Sequence, residues 1–159
     1  MFIRLVERLS FAAGIAAGAA IILILGLICV EVVLRNFFGR STMIADEFGG
    51  YLNVAVIFLG LGYTLRERGF IRIELLYERL RGSALLMTRW FITLSSIAYV
   101  AILLFYVIKQ VMYLYRGNIR SDNLSEILLY IPQSLVVIGC AVLLLQLLTY
   151  VVNRVRNVP

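Results

Sequence analysis

LSFAAGIAAGAAIILILGLICV, residues 9–30, carries no charged side chain. Three more uncharged apolar runs follow it: Phe48–Leu65, Trp90–Ile108 and Ile127–Asn153. Each is roughly 18 residues or longer, and at about 1.5 Å of rise per residue it reaches across a hydrocarbon core of about 30 Å. A helix in a soluble protein of this size needs a polar face, and these runs have none. The predicted fold is an all-α integral membrane domain over residues 1–159, with four transmembrane helices over approximately 9–34, 47–66, 86–110 and 126–152.

Composition agrees, with 62% hydrophobic and 15% charged residues, outside the usual soluble mixture. Four spans consume nearly the whole chain and leave no room for a separate soluble domain. Arg4 and Arg8 before an apolar stretch mimic a secretory signal. The run is too long for a signal core, however, and Glu31 and Arg35 stand where a small-residue cleavage site belongs. It is read as a retained first span. Cys29 and Cys140 fall in different spans without C-x-x-C spacing and read as small buried hydrophobes. The chain has no histidine. That excludes haem ligation by histidine, H-E-x-x-H proteases and Ser–His hydrolases, and no cofactor or metal is expected.

The net charge of +6 is explained by position rather than by nucleic acid, which is not an expected partner. Of the 15 basic residues, ten are Arg4, Arg8, Arg66, Arg68, Arg72, Arg79, Arg81, Arg89, Arg154 and Arg156. These precede span one, connect spans two and three, or follow span four. The other five, Arg35, Arg40, Lys109, Arg116 and Arg120, belong to the opposite side. The positive-inside rule then places both termini and the middle loop in the cytoplasm.

Span one is rich in alanine and glycine, and Gly14 and Gly18 form a G-x-x-x-G step that admits a second helix backbone. Asn53 in span two and Gln133 and Gln146 in span four are polar positions suited to protein rather than lipid. Pro132, near the outer end of span four, sits where a missing N–H is tolerated. Between spans two and three, Phe70, Ile73, Leu76, Tyr77 and Leu80 share a helical face of roughly 120°. That predicts an amphipathic interfacial helix over 70–81, although the alternation Ile71–Leu75 also fits a short strand. Arg68, Arg72, Arg79, Arg81, Arg89 and Trp90 are the candidate contacts to phospholipid headgroups.

Glu31 and Arg35 are one helical turn apart and can pair. Glu31 lies about 33 Å along the helix from Leu9, close to the outer interface, so an anchoring ion pair competes with a proton or cation site. Asp46 and Glu47 resemble a carboxylate pair for acid/base work. Neighbouring positions point about 100° apart on a helix, so the simpler expectation is helix-start stabilisation. Arg35 is expected to bridge Glu31 and Glu47 in a partly buried cluster. No span carries a charge near its middle, which argues against a complete ion pathway in this chain.

From Glu31-x-x-x-Arg35 the pattern continues to Glu47 opening span two, Phe58-Leu59-Gly60, the Arg66-Glu67-Arg68 turn, Ile71-Arg72-Ile73 and the late Pro132. In that order it resembles the small membrane subunit, DctQ/SiaQ type, of tripartite ATP-independent periplasmic (TRAP) transporters. Members often have a histidine after the arginine turn, where this chain has Phe70. The resemblance implies two partners, a large multi-span permease subunit and a periplasmic substrate-binding protein, in a bacterial inner membrane. It implies sodium-coupled import of a carboxylate or sialic-acid type anion, with the substrate and sodium sites in the large subunit. This chain is then a non-catalytic scaffold, not an enzyme. The candidate interface residues are Gly14, Gly18, Glu31, Arg35, Glu47, Asn53 and Gln146. Two readings compete with it: an autonomous four-span proton-coupled exporter using Glu31, and a membrane enzyme using Asp46 and Glu47.

Overall fold

The computed structural model describes residues 2–42, 44–67, 69, 83–123 and 125–156. It contains four helices: α1 (Phe2–Phe38), α2 (Ile44–Arg66), α3 (Ser83–Arg116) and α4 (Tyr130–Arg156). All four are long and apolar enough to cross a membrane. Among the described residues there is no strand, only an isolated antiparallel bridge between Arg120 and Leu128. The interfacial helix expected over 70–81 lies outside the described residues, as do Arg68, Arg72, Arg79 and Arg81.

Lipid tails are as apolar as leucine, so burial of apolar area does not drive these helices together; close packing and internal hydrogen bonds do. Small residues make the closest contacts. Ala13, Ala17 and Ala20 of α1 meet Ala55 and Leu59 of α2 and Val142 of α4 in one buried cluster. Val100 of α3 joins Leu143 and Leu147 of α4 in a second, flanked by Leu61 and Leu65 of α2. α4 touches each of the other three helices and is the most deeply buried, while α3 packs chiefly on α4.

Two glycines set the α2–α4 distance. A Cβ on Gly139 would lie 2.4 Å from the Phe58 carbonyl oxygen, and one on Gly62 would lie 2.7 Å from Val142 Cγ1. Polar side chains in the apolar interior are satisfied locally. Thr64 donates to the Gly60 carbonyl at 2.9 Å and Thr149 to Leu145 at 3.0 Å. Ser10 of α1 donates to Gln146 Oε1 of α4 at 3.2 Å across the buried interface.

The helix ends follow from their capping chemistry. Gly39, at φ +61°, takes the left-handed conformation that ends α1. At the end of α3, Asn118 has φ 47°, its N–H bonds the Tyr115 carbonyl, and the Ile119 N–H bonds the Leu114 carbonyl. That pair of bonds is a Schellman motif with asparagine in the position glycine usually takes. α4 begins at Tyr130 rather than near residue 126. Before it, Glu126 is held at φ 44°, and Ser121 and Leu129 bond across the loop to Ile127 and Ile119. The apolar stretch 127–129 thus closes a compact loop before any helix begins.

Candidate functional site

The two connecting loops, 39–43 and 117–129, join α1 to α2 and α3 to α4 at one end of the bundle. Glu31 organises the first. Its Oε1 accepts from Ser41 Oγ at 2.5 Å, and its Oε2 accepts from Thr42 Oγ1 at 2.5 Å and the Thr42 N–H at 3.2 Å. Thr42 Oγ1 in turn accepts from the Ile44 N–H at 3.4 Å, capping α2. A carboxylate taking three such bonds ties the loop back to the helix it has just left.

Arg35 lies 3.6 Å from Glu31 and donates to Ser41 Oγ at 3.3 Å, but its side chain is 66% exposed against 12% for Glu31. The expected Glu31–Arg35–Glu47 cluster does not form. Glu47 is buried, accepting from Tyr51 Oη at 2.8 Å and from Ser125 Oγ of the second loop. Among the described residues it is in no ion pair. Hydroxyl donors nearer than Arg35 satisfy it, and the arginine is left at the surface. Asp46 is exposed and points elsewhere, so the two neighbouring carboxylates are not a pair. Arg120 and Glu126, 3.5 Å apart, close the second loop. Ser125 on Glu47 is thus a latch between that loop and the start of α2.

The remaining candidate interface residues separate into inward and outward positions. Gly14 is covered by Tyr63 of α2, whereas a Cβ on Gly18 would meet nothing within 4 Å. Gln146 is buried and bonded to Ser10, so its polarity is used inside the bundle. Asn53 is exposed on α2. Trp90 is half-buried in the second turn of α3, and the backbone of Arg89 beside it is helical. Broad apolar surfaces remain on α1, where Ile15, Ile22 and Leu23 are exposed, and on α3, where Phe91, Tyr99 and Phe105 are. Cys29 is exposed and Cys140 buried. Among the described residues, no three His, Cys, Asp or Glu side chains gather to hold a metal ion.

Sequence reasoning located Glu31 and Glu47 but not their partners Ser41, Thr42, Tyr51 and Ser125. A serine or threonine beside a helix start is the usual capping signal. Nothing local links Ser125 to Glu47, 78 residues away.

No curated protein and no solved structure matches the chain. The family model for the DctQ component of tripartite ATP-independent periplasmic transporters matches residues 24–157, from the second half of α1 through α4. With that match spanning most of a four-helix, membrane-crossing chain, the protein belongs to the DctQ family and is the small component of a transporter that works with a large permease and a binding protein.

Proposed function

We propose that this chain is the non-catalytic scaffold subunit of a sodium-coupled, binding-protein-dependent importer of organic anions of the carboxylate or sialic-acid type, in a bacterial inner membrane. The observation that carries the reading is the distribution of polarity. Among the described residues the bundle interior is mainly Ala, Leu and Val with Cys140, and its buried polar residues other than Glu47 are Ser10, Gln146 and Thr149, each hydrogen-bonded within the chain. Glu47 lies in the first turn of α2 and is taken up by Tyr51 and Ser125. This chain therefore offers a rigid apolar surface rather than a path for an anion.

The outer faces of α1 and α3, with Gly18 and Asn53, are the surfaces this reading assigns to the large permease. The loop-bearing end, with Glu31, Arg35 and Glu47 fixing its geometry, faces the periplasm and the binding protein. No observation favours the autonomous exporter. Its essential acid would be Glu31, which instead lies near the end of α1 and is occupied by loop hydroxyls.

Reconstitution tests the reading. Liposomes holding this chain with a large permease, supplied with a binding protein and a sodium gradient, are expected to take up organic anion. Liposomes holding the small chain alone are expected to take up none. Uptake by the small chain alone would exclude the scaffold role.

A further inference from the structure

At the end of the bundle away from both connecting loops, Arg4, Glu7, Arg8 and Phe11 of α1 and Arg66 of α2 line an open cleft of about 410 Å³. The Arg66 guanidinium carbon sits 5.4 Å from the centre of the Phe11 ring, the geometry of a cation–π contact. Its Nη1 is buried and has no hydrogen-bond partner among the described residues. Glu67 is 3.5 Å from that nitrogen, a charge neighbour without a hydrogen bond. Arg4, Arg8 and Glu7 are in no ion pair among the described residues. With Glu67 set against one of the three arginines and Glu7 against a second, the cleft keeps a surplus of one positive charge and an unused donor.

The surface continuing from the cleft is apolar and lies on the same side of α1. Arg4, Arg8, Phe11, Ile15 and Ile22 follow one another at spacings of four, three, four and seven residues, which keeps them on one helical face. Phe11 is 49%, Ile15 59% and Ile22 71% exposed. The buried face of α1, with Val6, Ser10, Ala13, Ala17 and Ala20, lies on the other side. From Arg8 to Ile22 the stripe rises about 21 Å, somewhat more than the roughly 15 Å of one leaflet's hydrocarbon.

We propose that this cleft is a binding site for the monoanionic phosphodiester headgroup of a glycerophospholipid, with an acyl chain lying along Phe11, Ile15 and Ile22. The single surplus charge matches a monoanion. The Arg66 guanidinium, part of the cleft's lining, supplies a donor for a phosphate oxygen, and guanidinium is the side-chain group best shaped for phosphate. A soluble phosphate compound satisfies the charges equally well but leaves the apolar stripe unused. The site does not rest on the scaffold role: its apolar stripe shares the outer face of α1 with the surface assigned to the permease, and the small chain alone suffices to test it.

Native mass spectrometry of the full chain in detergent tests it, with phosphatidylglycerol, phosphatidylcholine or water-soluble glycerophosphoglycerol at matched concentrations. The parent is expected to retain phosphatidylglycerol over phosphatidylcholine by about fivefold, given what one surplus arginine charge contributes near an anionic surface. It is expected to retain no glycerophosphoglycerol. R4Q/R8Q changes two exposed side chains and leaves the core intact, and it should erase most of the preference, as should R66Q. Equal retention of the two lipids by the parent, or a preference unchanged in both variants, overturns the site. Glycerophosphoglycerol bound as well as the lipid would overturn the lipid assignment in favour of a soluble phosphate.

Discussion

Gly14 and Gly18 stand one helical turn apart on α1, yet they do opposite things. A methyl group at Gly14 would lie 2.6–2.9 Å from Cγ, Cδ2 and Cβ of Tyr63, while at Gly18 it would enter open space. Overpacking of that kind typically costs about 1–3 kcal/mol. An unobstructed Gly→Ala change in a helix gains up to about 1 kcal/mol from propensity. In thermal melts of the isolated chain, Gly14→Ala is expected to lower Tm and Gly18→Ala to hold or raise it. Where Gly18 faces the permease, Gly18→Leu is expected to reduce co-purification without lowering the chain's own Tm. Equal destabilisation by both alanine variants would contradict the packing. The G-x-x-x-G step is legible in the sequence, but which glycine is covered is not, because that depends on where Tyr63 of another helix falls. The acidic residues show the same limit. Glu31 and Glu47 are conspicuous by charge, and Arg35 is the obvious partner, yet hydroxyls from four separate positions take up the carboxylate oxygens.

Among the helices, the number and order follow directly from the apolar runs, since nothing but a helix satisfies its own backbone within lipid. Their ends are less legible. α1 and α3 contain 37 and 34 residues, about 55 and 51 Å, because nothing breaks the helix until Gly39 and Asn118 turn left-handed. The start of α4 is delayed by the Arg120–Leu128 bridge, a pairing that apolar content at 127–129 conceals. The α2–α4 crossing depends on two glycines of unequal tolerance. At Gly139 the obstacle is the Phe58 backbone, with its carbonyl oxygen 2.4 Å and carbon 2.5 Å from an added Cβ; at Gly62 it is first the Val142 methyl at 2.7 Å. A side-chain methyl can rotate away, whereas a backbone carbonyl moves only if the helices separate. Gly139→Ala is therefore expected to cost about 3 kcal/mol and Gly62→Ala about 1, both within the range for overpacked interiors. Denaturant titration of helicity in a fixed detergent checks the order. Gly62→Ala proving the more damaging would mean that the helices do not cross where described.

For the molecule as a whole, the charges at the two ends predict the direction of insertion. Arg4, Arg8 and Arg66 surround one end of the bundle, and Arg35, Arg40, Arg116 and Arg120 the other. Ion pairs draw down two of the second group, Arg35 beside Glu31 and Arg120 beside Glu126, and one of the first, Arg66 beside Glu67. Positive residues in short loops resist translocation, at about 2.5–3.5 kcal/mol for each arginine placed at the bilayer centre. Arg68, Arg72, Arg79, Arg81 and Arg89 follow Arg66 closely in the sequence, so the bias favours leaving that end in the cytoplasm. Single cysteines read this out in a Cys29→Ser, Cys140→Ala background, which removes the exposed native thiol and the buried one. Asp122→Cys sits in the exposed second loop and Glu67→Cys in the turn after α2, both on exposed side chains. In spheroplasts, an impermeant maleimide is expected to label Asp122→Cys fully and Glu67→Cys only after the membrane is opened. Labelling of Glu67→Cys from outside, with Asp122→Cys protected, would invert the insertion. The loop-bearing end could then not be the one that meets a periplasmic binding protein.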